Sequence, residues 1–422
     1  MKYKNIRRSR MNKLLMSCAL ACMVQGSMAQ TRMMSLQECV DLALKQSFQM
    51  KAAEKSVERA KNLQGTAWDV DKTEVSLSQD PSSGGNTDNA MTVSQGIEFP
   101  TVYIARRKQL KAETQVEKSK LNLTKQDLTS EIRSAYLQLV YEHEILRLLN
   151  RQDSILDRYT ATASSKLKAG ESRKLELLAA ERMHRENELE IASAQSDIEA
   201  SQLLLASLVN IGDDITPADK VLAPLDFVQK DYNYQQTPEG QLAQDRITVA
   251  DKAVTVAKNS YAPSLSLALR NQMLISSWNP YHVDRSRFKE GNFFGFEVGV
   301  GIPLFYGATK AKVKAAKRDK EIAELELQQE QRDKQREYLT ALSKCNSTFV
   351  RMKYYQEEGA EKDKELERLS GLEYENGEIS YIEYMEALKD CTDFHLKKAA
   401  AINDYNQSVI TLQRLSGASI SK

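Results

Sequence analysis

Hydrophobic positions along this chain keep two periods. From about 105 to 165 and again from 308 to 370, apolar residues recur in a 4-3 spacing among Glu, Lys and Gln. Leu128, Ile132, Ala135, Leu139, Glu142, Leu146, Leu149, Asp153 and Leu156 fall on one seam, and Tyr338, Leu342, Cys345, Phe349 and Met352 on another. Such a seam predicts long helices packed in coiled-coil fashion. At 1.5 Å per residue a 60-residue helix reaches about 90 Å. No globular core needs a rod of that length.

Four short stretches alternate instead, which predicts strands at 74–79, 91–99, 264–273 and 294–302. In the third, Leu265, Leu267 and Leu269 oppose Ser264, Ser266, Ala268 and Arg270; in the fourth, Val298, Val300 and Ile302 oppose Glu297, Gly299 and Gly301. One oily face and one polar or glycine face suits a barrel wall between lipid and water, or a half-buried sheet in a soluble protein. Four strands cannot close a barrel, and open edges do not persist in lipid, so a barrel needs further copies of the chain. Trp278, Tyr281, Phe288, Phe293 and Phe294 then suit the membrane interface, or a small cluster under a loop.

The order of elements is written twice. Pro100 and Pro303 lie 203 residues apart, and at that offset Tyr103 meets Tyr306, Ala105 meets Ala308, and Lys111-Ala112 meets Lys314-Ala315. Further on, Gly170-Glu171 meets Gly377-Glu378 at an offset of 207. Each half predicts a first helix (36–68 and 238–261), two strands, a very long helix, a glycine turn and a second long helix (172–210 and 379–415). The first helix opens with Ser35 and Glu38 in capping-box spacing. The expected division is 30–211, a linker at 212–237, a second repeat at 238–417 and a tail at 418–422.

Composition narrows the function. Lys2, Lys4, Arg7, Arg8, Arg10 and Lys13 precede an apolar stretch, Leu14 to Val24, and a Ser27-Met28-Ala29 cleavage site, so 1–29 reads as an export signal. A start at Met11 gives a more ordinary signal. A lipid anchor at Cys18 or Cys22 is the alternative, although neither follows a Leu-small-small triplet. Without the six basic residues of 1–29, 53 of the 59 Lys and Arg remain against 58 Asp and Glu, a net charge of −5. That argues against nucleic acid as a partner. No apolar run is long enough for a transmembrane helix. Cys39, Cys345 and Cys391 read as small buried helix residues rather than a disulfide framework. His143, His184, His282 and His395 are scattered, with no His or carboxylate at metal-ligand spacing, and no nucleophile elbow, phosphate loop or dinucleotide fingerprint is present. The reading is therefore of a non-enzyme without cofactor or metal.

The duplicated plan, "IPLFYGATKAKVKAA" (302–316), the Gly-centred turns and the opening "SLQECVDLALKQSFQMKAAE" (35–54) resemble the TolC-like outer membrane efflux proteins over nearly all of the chain after the signal. The resemblance implies a mainly α fold with a small β part, and a homotrimer whose 12-stranded outer membrane barrel continues into a periplasmic tube of coiled helices. It implies an exit duct of a tripartite pump, reached through a periplasmic adaptor from an inner membrane transporter of the resistance-nodulation-division type. It places adaptor-docking turns at Ala169, Gly170 and Glu171 and at Asn376, Gly377 and Glu378. An acidic aperture falls on Glu383, Glu386 and Glu176 with Tyr374, and the barrel-to-helix junctions on Pro100, Pro303 and Gly307. The family's basic partner after the second turn is Ile379 here, a departure. From spacing alone Glu383 and Glu386 share one helix face, and six such carboxylates in a trimer would attract cations and titrate upward. The outer membrane component of type I protein secretion fits the same architecture. A soluble periplasmic coiled-coil scaffold is the reading from another class.

Overall fold

A computed structural model describes residues 32–80, 88–227, 231–273 and 293–417. The signal segment, Trp278, Tyr281, Phe288 and the tail at 418–422 lie outside the described residues. The chain forms two compact units: one from the described parts of Met1–Ser47, Thr129–Leu225 and Thr348–Gln407, the other from Phe48–Leu128, Asp226–Ser347 and Ser408–Lys422.

The elements in order are β1 (Arg32–Met34), α1 (Leu36–Gln46), α2 (Phe48–Leu63), β2 (Glu74–Asp80), β3 (Asp88–Glu98), α3 (Pro100–Ala169), α4 (Lys174–Val209), β4 (Ile215–Pro217), α5 (Pro238–Asn259), β5 (Ser264–Met273), β6 (Phe293–Gly301), α6 (Gly307–Gln356), α7 (Glu358–Glu375) and α8 (Tyr381–Ser416). Helix dominates, as the seams require. The single first helix expected at 36–68 is three pieces. Ser47 breaks it at φ −55°, ψ 133°, and its end tightens into a 3-10 turn over Gln64–Trp68. The capping box is present: the Ser35 N–H donates to Glu38 Oε2 at 2.8 Å and the Glu38 N–H to Ser35 Oγ at 3.3 Å.

In the first unit the α3 seam is packed. Ile132 and Leu139 are fully buried and Ala135, Leu149 and Leu156 nearly so. Sequence patterning did not reveal β1 and β4, which pair in parallel through Arg32↔Ile215 and Met34↔Pro217. Tyr136, also fully buried, fixes them, its hydroxyl donating to Asp219 Oδ2 at 2.8 Å. Residues 215–225 of the stretch expected as a linker are thus tied into the first unit. The Leu225 N–H donates to Asn406 Oδ1 at 2.8 Å, and Asn406 Nδ2 donates to the Ala223 carbonyl at 2.9 Å, on a side chain with no exposed surface. A buried amide satisfied on both sides holds a backbone in one place.

In the second unit one antiparallel sheet has the order β2-β3-β5-β6. Its register lines up Val75↔Val93↔Leu269↔Phe296, Leu77↔Met91 and Ile97↔Leu265↔Val300, while Gly96↔Ser266↔Gly299 and Ser264↔Gly301 fall in the intervening rows. One face is thus apolar, and it is open: Leu77, Leu269, Phe294 and Phe296 are 65–82% exposed. On the other face Gly299 and Gly301 have a physical reason. A Cβ at either would collide with the hydroxyl of Ser266 or Ser264 on the neighbouring strand. Among the described residues the edge strands β2 and β6 have no outer neighbour.

The two proline junctions differ. Pro100 is the first residue of α3, with only Phe99 between it and the end of β3. A proline suits that position because its missing N–H is one the helix start leaves unpaired anyway. No glycine is needed: Tyr103, buried at 2% exposure, stacks on Trp68 at 5.1 Å and accepts the Glu98 N–H on its hydroxyl at 3.0 Å. Arg106 adds an ion pair to Glu98 at 2.9 Å. Pro303 lies instead in a five-residue link between β6 and α6, and Gly307 opens the helix. The long helix of the second half is also broken, at Glu357 (φ −105°, ψ −98°), whereas α3 runs through 70 residues. Just beyond the break, Gly359 lies against Phe394 so closely that a Cβ would stand 3.0 Å from its ring.

Candidate functional site

All the residues assigned to the two turns and the aperture belong to the first unit. The turns are built alike. After α3, Gly170 takes φ +76°, the Glu171 N–H donates to the Lys166 carbonyl at 2.9 Å and the Gly170 N–H to Leu167 at 3.1 Å. After α7, Gly377 takes φ +73°, with Glu378 donating to Glu373 at 2.8 Å and Gly377 to Tyr374 at 3.0 Å. Both are Schellman ends, in which a left-handed residue satisfies the last carbonyls. Nothing lies within 4 Å of a Cβ added at either glycine, so the backbone angle alone demands glycine there.

The two helices leaving the turns start differently. Ser380 caps α8: its N–H donates to Glu383 Oε2 at 2.7 Å and Glu383 donates back to Ser380 Oγ at 3.3 Å. Arg173 caps α4 without a side-chain bond. Glu383 is therefore a capping residue as well as an acid near the turn. Those Ser380 bonds pull its carboxyl below the ordinary value. The capping spacing Ser380-x-x-Glu383 was visible in the sequence, but the resemblance had already given Glu383 another role. Glu386 is exposed one turn further along the same helix.

Tyr374 is part of an aromatic cluster that sequence reasoning missed. It stacks on Tyr384 with centroids 4.9 Å apart and planes 6° from parallel, and touches Tyr381 at 5.5 Å. Tyr381 meets Tyr159 at 5.5 Å, its hydroxyl donates to Thr162 Oγ1 at 3.4 Å, and Lys166 Nζ lies 5.3 Å from its ring centre. Leu156, Tyr159, Ala163, Ala180 and Met385 form the buried core beneath. Burial first, then the carboxylates of Glu176 and Glu386, push the Tyr159 hydroxyl upward. The structure thus brings Glu176, Glu386 and Tyr374 around one core where both hairpins meet. The signal was the run of tyrosines at 374, 381 and 384, one on each side of the turn and one a helical turn on.

A second grouping joins α3 and α4. His184 Nε2 stands 3.3 Å from Asp153 Oδ1 and 3.5 Å from Asp157 Oδ1. No metal ligands were assigned to any histidine from the sequence, because these partners are 31 and 27 positions away on another helix. Asp153 and Asp157, four apart, were the available half of the signal, and Asp153 sat as a carboxylate on an apolar seam. Among the described residues Cys39, Cys345 and Cys391 are buried; burial raises Cys39 to about 11 and Cys391 to about 12, so neither of these two thiols is reactive at neutral pH. Among the described residues no helix is long and apolar enough to cross a membrane.

This repeated strand, long-helix and turn plan is a known fold of membrane channels. The Campylobacter jejuni CmeC outer membrane channel matches with a TM-score of 0.71 at 17% identity, over 90% of this chain and 85% of its own. The Neisseria gonorrhoeae MtrE outer membrane channel in its open state gives 0.70 at 17%, over 90% and 88%. A Pseudomonas aeruginosa membrane protein gives 0.75 at 15%, over 90% and 93%. At the level of sequence, residues 235–418 match the profile of the outer membrane efflux protein family, which bears out the resemblance read from the residues. No protein of curated function matches the sequence.

Proposed function

We propose that the chain is the outer membrane channel of a tripartite efflux system, a passive duct with a large periplasmic part. The observation that carries this reading is the β2-β3-β5-β6 sheet, apolar and exposed on one face and, among the described residues, unpaired at both edges. Such a sheet is unstable alone in either water or lipid, and closure with two further copies removes both edges. Three chains would supply 12 strands, with the residues after Pro100 and Pro303 leading from the membrane wall into helices. The family match over 235–418 and the channel fold support the same reading. In it the chain divides into two repeats, 30–211 and 238–417, joined by 212–237.

In this reading the Gly170 and Gly377 turns dock the periplasmic adaptor. Glu386 and Glu176, with Tyr374 beside them, line the aperture, and Glu383 shares that duty with its cap. The Tyr374–Tyr384 stack and Tyr381 stand where the family's basic link is missing at Ile379. A resistance-nodulation-division transporter supplies the energy, so the duct itself needs no catalytic group.

Purified protein in planar lipid bilayers tests the reading. We expect cation-preferring single channels, with the preference reduced in Glu386→Ala, and retention of the protein in outer membranes washed at high pH. Release by the wash, or absence of conductance, would overturn it.

A further inference from the structure

We propose that Asp153, Asp157 and His184 form a binding site for one divalent transition cation of the zinc type, which fastens α3 to α4.

The first support is geometric. Two ligands on a tetrahedral zinc, each about 2.0–2.1 Å from the ion, stand about 3.3–3.4 Å apart. His184 Nε2 is 3.3 Å from Asp153 Oδ1 and 3.5 Å from Asp157 Oδ1. All three ligand atoms lie within 4.8 Å of one another. Those separations are long for charge-assisted hydrogen bonds, which run at about 2.7–2.9 Å. Three protein ligands leave the fourth position to water.

The second support is charge. Asp153 and Asp157 are like charges four apart on one helix, an arrangement that costs helix stability. A protonated His184 neutralises only one of them. A dication neutralises both and leaves the imidazole neutral, the form that ligates. The imidazole also selects against magnesium and calcium, which prefer oxygen alone.

The third support is the buried amide next to the site. Asn187, one turn after His184 on α4, is 3% exposed. Its Nδ2 donates to Asp153 Oδ1 at 3.0 Å and reaches the Leu149 carbonyl at 3.4 Å, while its Oδ1 is buried with no hydrogen-bond partner. The amide N–H thus holds Asp153 Oδ1 in place, the outer-shell support usual for a metal-binding carboxylate.

The test uses the full-length chain in detergent, stripped with a chelator and titrated calorimetrically with zinc chloride alone. One saturable site per chain is expected. His184→Gln and Asp157→Asn should each weaken it by about tenfold or more. Asp157 is 67% exposed, so its replacement leaves the packing intact even where a change at His184 disturbs the fold. X-ray absorption of the zinc-loaded protein should give a nitrogen and oxygen shell with one imidazole. Absence of a saturable site would overturn the proposal, as would zinc held equally well by Asp157→Asn, or a sulfur ligand in the shell.

Discussion

At the scale of the residue, Glu383 carries two duties that pull in opposite directions. The cap made by Ser380 favours its ionised form, whereas crowding by other acids favours its neutral one. In the chain the cap prevails, and the carboxyl sits below its ordinary value of 4.5. Its contribution to stability is therefore complete above 4.5 and is lost as the pH falls through the lowered value. Thermal unfolding followed between neutral and acid pH should fall away in that window, and more shallowly in Glu383→Gln. A variant that falls away as steeply as the parent would remove the cap as the controlling interaction. Tyr159 shows the converse case, a neutral group kept neutral by burial and by the acids beside it.

At the scale of the element, the turns and the strand rows were legible in the sequence and the joins between helices were not. Gly170 and Gly377 announced themselves because a left-handed backbone leaves few choices of residue. Both turns are open to solvent and make no packing contact at the glycine, so a charged side chain there costs backbone strain and little else. Gly170→Glu and Gly377→Glu should therefore leave chain assembly on native gels unchanged while abolishing efflux in a drug-susceptibility assay. Loss of assembly would instead make them folding residues. Strands at 264–273 and 293–301 match their pattern closely, because an exposed apolar row repeats strictly every second residue. The breaks at Ser47 and Glu357 left no such mark. Beside the second, Gly359 packs closely on Phe394 of another helix, and local propensity does not record such neighbours. The same blindness hid the tyrosine cluster and the Asp153–His184 contact, each assembled from segments remote in sequence. β1 and β4, three residues apiece, are too short for any period to be seen.

At the scale of the whole molecule, closure of the sheet makes a direct demand on its rims. If β2 of one copy pairs with β6 of the next, one cysteine on β2 combined with one on β6, in a chain without Cys39, Cys345 and Cys391, should give covalent trimers under oxidation at matching rows only. Dimers alone, or no cross-link at any row, would rule out this closure. The apolar face also sets the boundary of what the surface tolerates: Leu269 points where Arg270 does not, and a charge on its side of the sheet is the costly one. The break at Glu357 has a mechanical meaning as well. A rod of 70 residues without interruption transmits a twist applied at its turn along its length, but a jointed one spends that twist at the joint. The two hairpins are thus entered differently, the first by one continuous helix and the second by a helix that restarts at Glu358.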